Sequence, residues 1–209
     1  YWQRIRRACD KHGALLILDE IPHCLGRTGR MFTFEHYGIV PDMVVIGKGL
    51  GGGIFPLAAL IAREGLNDAM PHKALGHYTH EKTPVACAAA LAAIDVIESD
   101  GLLANATSMG NLAMGRMRNM ASSFSMIGDV RGKGLLMGME LLKDKGTGER
   151  AINQAEAVMY AALTHGLNFK VTMGNILTLT PPLTITESEM NAALDILELS
   201  LREVSLSQD

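Results

Sequence analysis

The N-terminal part of the chain carries two short apolar runs, residues 15–18 and Met43–Ile46, each closed by an ionisable residue. These residues are Asp19 and, after one glycine, Lys48. Continuous apolar runs rich in Leu, Ile and Val are typical of strands covered on both faces of a parallel sheet. Ligands of such sheets bind beyond the carboxyl ends of the strands. The pattern therefore predicts an open α/β sheet with one carboxylate and one amine at its ligand-binding edge.

Helical spacing of apolar residues recurs along the rest of the chain, and glycines and prolines interrupt it. It predicts helices over residues 1–12, 84–98, 102–120 and 153–163, and a last helix opened by the capping box Thr186-Glu187-Ser188-Glu189. Apolar runs predict further strands near residues 57–62 and 130–142, and one or two within 167–179.

The composition of the chain shifts at Ala121-Ser122-Ser123. The elements before this point contain both ionisable strand ends, and those after it mix strands and helices around their own apolar positions. We therefore predict two domains, a ligand-binding domain over residues 1–121 and a small α+β domain over residues 122–209.

Charge and cysteine content narrow the possible partners. Of the 209 residues, 48% are hydrophobic and 20% charged, with a net charge of −3, which argues against nucleic acid or an anionic membrane as partner. No apolar run reaches transmembrane length.

Cys9, Cys24 and Cys87 are scattered and odd in number, which favours a reducing, cytoplasmic compartment over a disulfide framework. The chain lacks an initiator Met and starts on a helix-like stretch, so we expect a fragment of a longer protein.

The glycines around Lys48 match a nucleotide-binding motif by spacing alone. Gly47-x-Gly49-x-x-Gly52 fits the dinucleotide fingerprint, but that fingerprint must open a helix, and Ile54-Phe55-Pro56 is poor helix. A phosphate-binding loop of the Walker type needs Ser or Thr after the lysine, where this chain has glycine. We therefore interpret the glycines as tight backbone packing around Lys48.

Lys48 and Asp19 together suit pyridoxal phosphate chemistry. A lysine between glycines at the end of an apolar strand is expected to be buried, which favours the neutral amine. Such an amine forms a Schiff base with the cofactor aldehyde, and a carboxylate keeps the pyridine nitrogen protonated. Asp19 alone would be interpreted as a turn former or helix cap. Its placement on a second strand, equivalent to that of Lys48, favours the catalytic interpretation.

A metal centre is not predicted. His77, His80 and Glu81 follow the order H-x-x-H-E, which differs from the H-E-x-x-H order of zinc proteases. We interpret this segment as a polar loop.

The motifs resemble those of the class III aminotransferases, a family of fold type I pyridoxal phosphate enzymes. The resemblance runs from residue 15 to the last helix, and its segments stand in family order. They are L-L-I-L-D-E-I, L-G-R-T-G-R-M-F, P-D-M-V-V-I-G-K-G-L-G-G-G-I-F-P-L-A, T-P-V-A-C-A-A-A-L-A, V-R-G-K-G-L-L-M-G-M-E-L and L-T-P-P-L-T-I-T. The resemblance implies an α/β fold: the second half of a large domain with a mostly parallel sheet and flanking helices, followed by a small α+β domain.

The same resemblance implies roles for single residues. Asp19 would pair with the pyridine nitrogen of pyridoxal 5′-phosphate, Lys48 would be the Schiff-base lysine, and Ile21 would contact the cofactor. Thr79 stands where the family has a threonine that binds the cofactor phosphate across a dimer interface, which implies a homodimer with shared active sites. The family's N-terminal half, with its phosphate cup and stacking aromatic, is absent from these 209 residues. The chain alone is therefore expected to be inactive.

Three departures from the family pattern bear on the reaction. Pro22 stands where a glutamine is usual, His80-Glu81-Lys82 replaces a small glycine-rich loop, and Thr178 stands where many members have an arginine that binds a substrate carboxylate. Threonine cannot replace the bidentate arginine pair.

Three functions stay open from the sequence. The first hypothesis is amino transfer between an amine or amino acid and a keto acid through Lys48. The second is a lyase or racemase on the same scaffold, for example an ammonia-lyase acting on a phospho- or phosphono-amine. The third is a non-enzymatic remnant, against which the retained lysine and aspartate count.

Overall fold

The computed structural model describes residues 1–66, 68, 72, 81 and 83–206. The chain divides by its internal contacts into two compact units, Tyr1–Leu103 and Ala104–Asp209. The elements of the first unit are helix α1 (Trp2–His12), strand β1 (Ile17–Asp19), a 3-10 turn (Thr33–Tyr37), strand β2 (Met43–Ile46), a second 3-10 turn (Lys48–Gly51), strand β3 (Ala59–Ala62) and helix α2 (Pro84–Ser99).

The sheet of the first unit has the order β1-β2-β3. Strands β1 and β2 are parallel, with Asp19 opposite Val45, and β3 runs antiparallel to β2, with Ala59 opposite Ile46. The carboxyl ends of β1 and β2 therefore lie at the same edge of the sheet, as the two apolar runs predict.

The prediction that both faces of these strands are covered is wrong for the part of the chain that the structure describes. Along β2, Val44 and Ile46 are buried, whereas Met43 and Val45 are only half-buried. Strand β3 is exposed at every position. The reason is that the helices described in this unit, α1 and α2, leave part of the sheet without an apolar layer over it.

A buried carboxylate anchors the amino ends of β1 and β2. Asp42 is 4% exposed, and its Oδ2 accepts the Leu16 N–H at 2.7 Å and an Arg6 N–H at 2.8 Å. Arg63 lies 3.1 Å from its other oxygen. The pKa of Asp42 lies below its usual range. The hydrogen bond from the Leu16 N–H is the largest cause, and the hydrogen bond from the Arg6 guanidinium is the second. Through Arg6, this carboxylate also ties helix α1 to the sheet.

The second unit is an α+β structure. Its elements are helix α3 (Leu102–Ser123), strands β4 (Ile127–Lys133), β5 (Leu136–Asp144) and β6 (Glu149–Arg150), helix α4 (Ile152–Thr164), strands β7 (Lys170–Thr172) and β8 (Ile176–Leu179), and helix α5 (Glu187–Leu206). The sheet has the order β4-β5-β8-β7, with all neighbours antiparallel, and β6 pairs with β5.

One apolar core joins the helices of the second unit to its sheet. Met109, Ala113 and Met117 of α3 belong to the same buried cluster as Met139 of β5 and Leu197 of α5. Helix α3 therefore packs with the elements that follow it, and the compact units divide at its start. The predicted domains, residues 1–121 and 122–209, instead place this helix with the first domain, because the shift in composition comes only at its end.

The single strand predicted over residues 130–142 is a hairpin. Strands β4 and β5 pair with each other, with Lys133 opposite Leu136. Gly134 turns the chain between them with a φ of 54°, a conformation that glycine adopts readily. The sequence carried a sign of this reversal in the polar, glycine-rich stretch Arg131-Gly132-Lys133-Gly134, which the prediction of one strand passed over.

Two predicted helix ends are confirmed. Helix α1 stops before Gly13, which has a left-handed φ of 64°. Helix α5 opens with the predicted capping box: Glu189 Oε2 accepts the Thr186 N–H at 2.8 Å, and Thr186 Oγ1 accepts the Glu189 N–H at 3.3 Å.

Candidate active site

Asp19 ends strand β1 with its side chain exposed. Its Oδ1 accepts the backbone N–H of Ile21 at 3.0 Å, which turns the chain away from the sheet. A pocket of about 180 Å³ adjoins Asp19. Its lining residues are Trp2, Ile17, Leu18, Asp19, Glu20, His23, Thr33, Phe34 and Tyr37.

Lys48 follows strand β2 at the same edge and begins a 3-10 turn. Its φ is 47°, in the left-handed region that residues with a β-carbon rarely adopt. The expectation that Lys48 is buried is wrong for the residues described: its side chain is exposed. Gly47, the first residue after the strand, is buried, and the turn that follows it places Lys48 at the surface.

The tight packing predicted around Lys48 is not found at Gly47 and Gly49, because a β-carbon at either position would meet its neighbours at ordinary van der Waals distances. A β-carbon built on Gly47 would lie 3.5 Å from Ile21 Cγ2, and one built on Gly49 would lie 3.7 Å from Leu25 Cδ1. Cys24 also faces this backbone. Burial raises the pKa of its thiol, although a hydrogen bond with the Gly47 backbone acts in the opposite direction. Residues that follow β1 therefore lie beside the backbone on both sides of Lys48.

The structure brings three of the four predicted site residues to one edge of the sheet. Asp19 and Lys48 follow neighbouring parallel strands, and Ile21 packs against Gly47. Among the described residues, Lys48 does not line the pocket that adjoins Asp19. Thr79, the fourth, lies outside the described residues.

The departures from the family pattern fall in different places. Pro22 is exposed on the loop after Asp19. His80 and Lys82 lie outside the described residues, as does His77. In the second unit, Thr178 is half-buried on β8, with its hydroxyl 2.7 Å from that of Thr172.

Glu20 is a residue whose importance we did not predict. It is 2% exposed, and both carboxylate oxygens accept backbone N–H groups, from Thr33 at 2.7 Å and Phe34 at 2.8 Å. The signal available in the sequence was an acid that directly follows an apolar strand and Asp19. That signal does not identify its partners, which lie more than ten residues away in the chain.

Within the part of the chain described, no group of three or more His, Cys, Asp or Glu side chains is arranged to hold a metal ion. The helices described there are also too short or too polar to cross a bilayer.

Comparison with known proteins identifies the family. The sequence pattern of the family "Aminotransferase class-III" matches residues 1–201. The chain belongs to the class III aminotransferases. Solved transaminases agree with this assignment. An amine transaminase from an uncultivated Pseudomonas species, in its pyridoxal phosphate-bound form, superposes with a TM-score of 0.92 at 33% identity, over 97% of this chain and 48% of that one.

Relatives within the class III aminotransferases differ in their reactions. An (R)-1-hydroxy-2-aminoethylphosphonate ammonia-lyase from Vibrio splendidus is 46% identical over 98% of this chain and 42% of its own length. A leucine/methionine racemase from Thermococcus litoralis is 43% identical over 98% of this chain and 46% of its own. An acetylornithine aminotransferase from Caldanaerobacter subterraneus is 35% identical over 98% of this chain and 49% of its own length. The chain thus spans about half the length of these relatives.

Pyridoxal 5′-phosphate is the cofactor of this family, and the residues at the sheet edge fit it. The cofactor needs an accessible lysine amine and a carboxylate for its ring nitrogen. Lys48 and Asp19 are both exposed, at the ends of adjacent parallel strands.

Proposed function

We propose that the protein to which this chain belongs is a pyridoxal phosphate enzyme that acts on a primary amine, with Lys48 as its proton-transfer group. One observation supports this most directly: an exposed amine and an exposed carboxylate follow neighbouring parallel strands at the same sheet edge. In open α/β sheets, this edge is where ligands bind.

Each residue of the site has a distinct proposed task. The cofactor, when bound, supplies an aldehyde that condenses with amines and a ring that accepts electrons. Asp19 holds a proton at the ring nitrogen, because its carboxylate favours the positively charged form of that nitrogen. Ile21 offers an apolar contact to the ring. Lys48 Nζ accepts the proton from the carbon that carries the amine and later returns it. Thr79 binds the cofactor phosphate from the partner subunit of a homodimer.

Among the reactions that begin with this proton transfer, we place those with a single amine substrate first: loss of ammonia or racemisation. An aminotransferase must hold an amine and then a keto acid in one site, and an arginine that binds carboxylates serves both. Thr178 stands at that position and uses its hydroxyl in a hydrogen bond with Thr172. The ammonia-lyase and the racemase, at 46% and 43% identity, support the same preference.

Amino transfer between an amine and a keto acid is the second candidate. The similarity to solved transaminases over nearly the whole chain supports it. Amino transfer was the first hypothesis from the sequence. We place it second because the ammonia-lyase and the racemase are more similar in sequence to this chain than the acetylornithine aminotransferase is.

The deciding experiment uses the full-length protein with pyridoxal phosphate and a panel of amines, without any keto acid. The panel contains aminoethylphosphonates with and without a hydroxyl group, leucine, methionine and alanine. Repeated turnover to free ammonia or to the opposite enantiomer is the expected result, with the visible absorbance of the bound cofactor retained. Stoichiometric loss of that absorbance, restored by pyruvate or 2-oxoglutarate, would instead establish amino transfer.

A further inference from the structure

Glu20 is a carboxylate almost completely withdrawn from water, directly after Asp19. Its Oε2 accepts the Thr33 N–H at 2.7 Å, and its Oε1 accepts the Phe34 N–H at 2.8 Å. Its own N–H donates to Val45 O at 2.9 Å and extends the parallel ladder beyond β1. Buried polar atoms need such partners, and hydrogen bonds to a charged acceptor are stronger than those between neutral groups.

These hydrogen bonds close residues 20–34 into a loop, which we call the clamp loop. The carbonyl of Glu20 accepts the N–H groups of His23 and Cys24 at its start, and the carboxylate holds its end. Inside the loop, the Leu25 N–H donates to Met31 O at 2.7 Å. Glu20 is therefore the residue at which both ends of the clamp loop meet.

The clamp loop packs on the backbone that carries Lys48. Its Ile21 lies against Gly47 and its Leu25 against Gly49, the glycines on either side of the lysine. Lys48 itself has a left-handed φ of 47°, a conformation that persists only where the surroundings enforce it. The clamp loop supplies such surroundings.

We propose that Glu20 is a positioning residue for Lys48. Its buried carboxylate keeps the clamp loop closed, and the loop holds the turn Lys48–Gly51 in its strained conformation. This inference rests on the proposed function of Lys48.

The protein contains a matched control for this role. Asp42 is also a buried carboxylate that accepts a backbone N–H, but it lies at the amino ends of β1 and β2, away from the site edge. In Glu20→Gln and in Asp42→Asn, one acceptor oxygen becomes an amide N–H donor that faces another donor. Both variants should lose stability. Only Glu20→Gln should disturb the site.

The first test is amide hydrogen exchange in the cofactor-free, full-length protein. In Glu20→Gln, the Thr33 and Phe34 amides should exchange about tenfold faster because a hydrogen bond is lost. The informative amides are those of Leu50 and Gly52, which donate to Gly47 O at 3.1 Å and Gly49 O at 3.0 Å in the lysine turn. They should also exchange faster in Glu20→Gln, and not in Asp42→Asn.

The second test is steady-state kinetics of the cofactor-loaded enzyme with the amine it turns over. A misplaced proton-transfer group lowers kcat, so Glu20→Gln should lower kcat on the order of 10²-fold, with a change in KM below about threefold. Asp42→Asn should leave kcat within about threefold of the wild type.

Unchanged exchange at Leu50 and Gly52 would overturn the proposal, as would an equal loss of kcat in both variants. If Glu20→Gln does not fold, Glu20→Asp takes its place. This variant keeps the charge but is one methylene too short to reach both N–H groups, and the same contrast with Asp42→Asn is expected. If the wild type turns over no amine, the proposed function fails, and exchange in the cofactor-free protein still decides the role of Glu20.

Discussion

Lys48 combines exposure with a strained backbone. A left-handed conformation costs a residue with a β-carbon roughly 1–2 kcal/mol, so glycine would be the default there. Lys48, and not one of its neighbouring glycines, has the left-handed backbone conformation. The glycines lie at the adjacent positions, where the clamp loop approaches the backbone. Strain of this kind is found at functional sites, where the position of one side chain matters more than local stability. It is consistent with the proton-transfer role proposed for Lys48.

Replacement of Lys48 by alanine tests that role. Loss of a general base lowers turnover by roughly 10²–10⁴-fold. We expect this decrease in kcat for Lys48→Ala in the full-length enzyme, measured with saturating pyridoxal phosphate. Lys11→Ala is the control, because Lys11 is also an exposed lysine of the first unit but lies on helix α1. Equal turnover by Lys48→Ala and the wild type would remove Lys48 from the mechanism.

A buried carboxylate lies at each end of the strand pair β1–β2. Asp42 accepts the Leu16 N–H at the amino ends, and Glu20 accepts the N–H groups of the clamp loop at the carboxyl ends. Short strands of three and four residues contribute few ladder bonds of their own. Asp42 therefore supplements the ladder at the amino ends of the two strands, whereas Glu20 closes the loop that follows β1.

Asp42 should make stability depend on pH in the acid range. Its pKa is lower in the folded protein than the ordinary value of 3.8, so its ionised form favours folding. This contribution is complete above about pH 5, begins to fall near the unfolded pKa and is lost as the pH falls through the folded pKa. We expect the stability difference between the wild type and Asp42→Asn, measured by urea denaturation, to shrink as the pH is lowered from 5 to 3. A difference that grows on acidification would contradict this assignment.

Helix α3 meets the β4–β5 hairpin at a point where only glycine fits. A β-carbon on Gly110 would lie 2.6 Å from the Gly134 carbonyl carbon and 2.7 Å from its Cα, closer than real contacts allow. Because the obstacle is backbone, it cannot rotate away. Gly115, on the same helix, has open space around its Cα.

These two glycines should respond to alanine in opposite directions. Gly110→Ala forces helix and hairpin apart and should destabilise the protein by about 1–3 kcal/mol. Gly115→Ala should stabilise it by about 0.5–1 kcal/mol, because alanine is the better helix former. Thermal unfolding of both variants in the cofactor-free state measures the difference. Equal effects would show that the close approach of Gly110 to Gly134 is not maintained in solution.

Several large apolar side chains of the first unit are exposed. Ile17 is 53% exposed, Leu60 59% and Leu91 64%. The chain spans about half the length of the relatives that it matches. The activity proposed above is accordingly one of the whole protein.

The 209-residue chain expressed alone should bind pyridoxal phosphate poorly and be inactive. Lys48 and Asp19 are both exposed in it, and the described residues do not bring them into one pocket. We expect no stoichiometric visible absorbance after gel filtration with pyridoxal phosphate, whereas the full-length protein should retain it. A stable cofactor band in the chain alone would contradict this.

Features that depend on neighbours in sequence could be predicted without the structure. The strand Met43–Ile46, the end of α1 at Gly13 and the capping box at Thr186 were all correct, because each follows from the local pattern of apolar residues, glycine or a capping pair. The placement of Asp19 and Lys48 at one sheet edge was predicted for the same reason. Parallel strands end on the same side whatever lies between them.

Features that depend on distant partners were decided only by the tertiary structure. The role of Glu20 requires Thr33 and Phe34, the β4–β5 hairpin requires pairing across Gly134, and α3 joins the second unit through a core that includes helix α5. The exposure of Lys48 depends on where its turn leaves the sheet. Burial and hydrogen bonding are set by what surrounds a side chain in space, and a pattern along the chain carries little information about groups that come together only on folding.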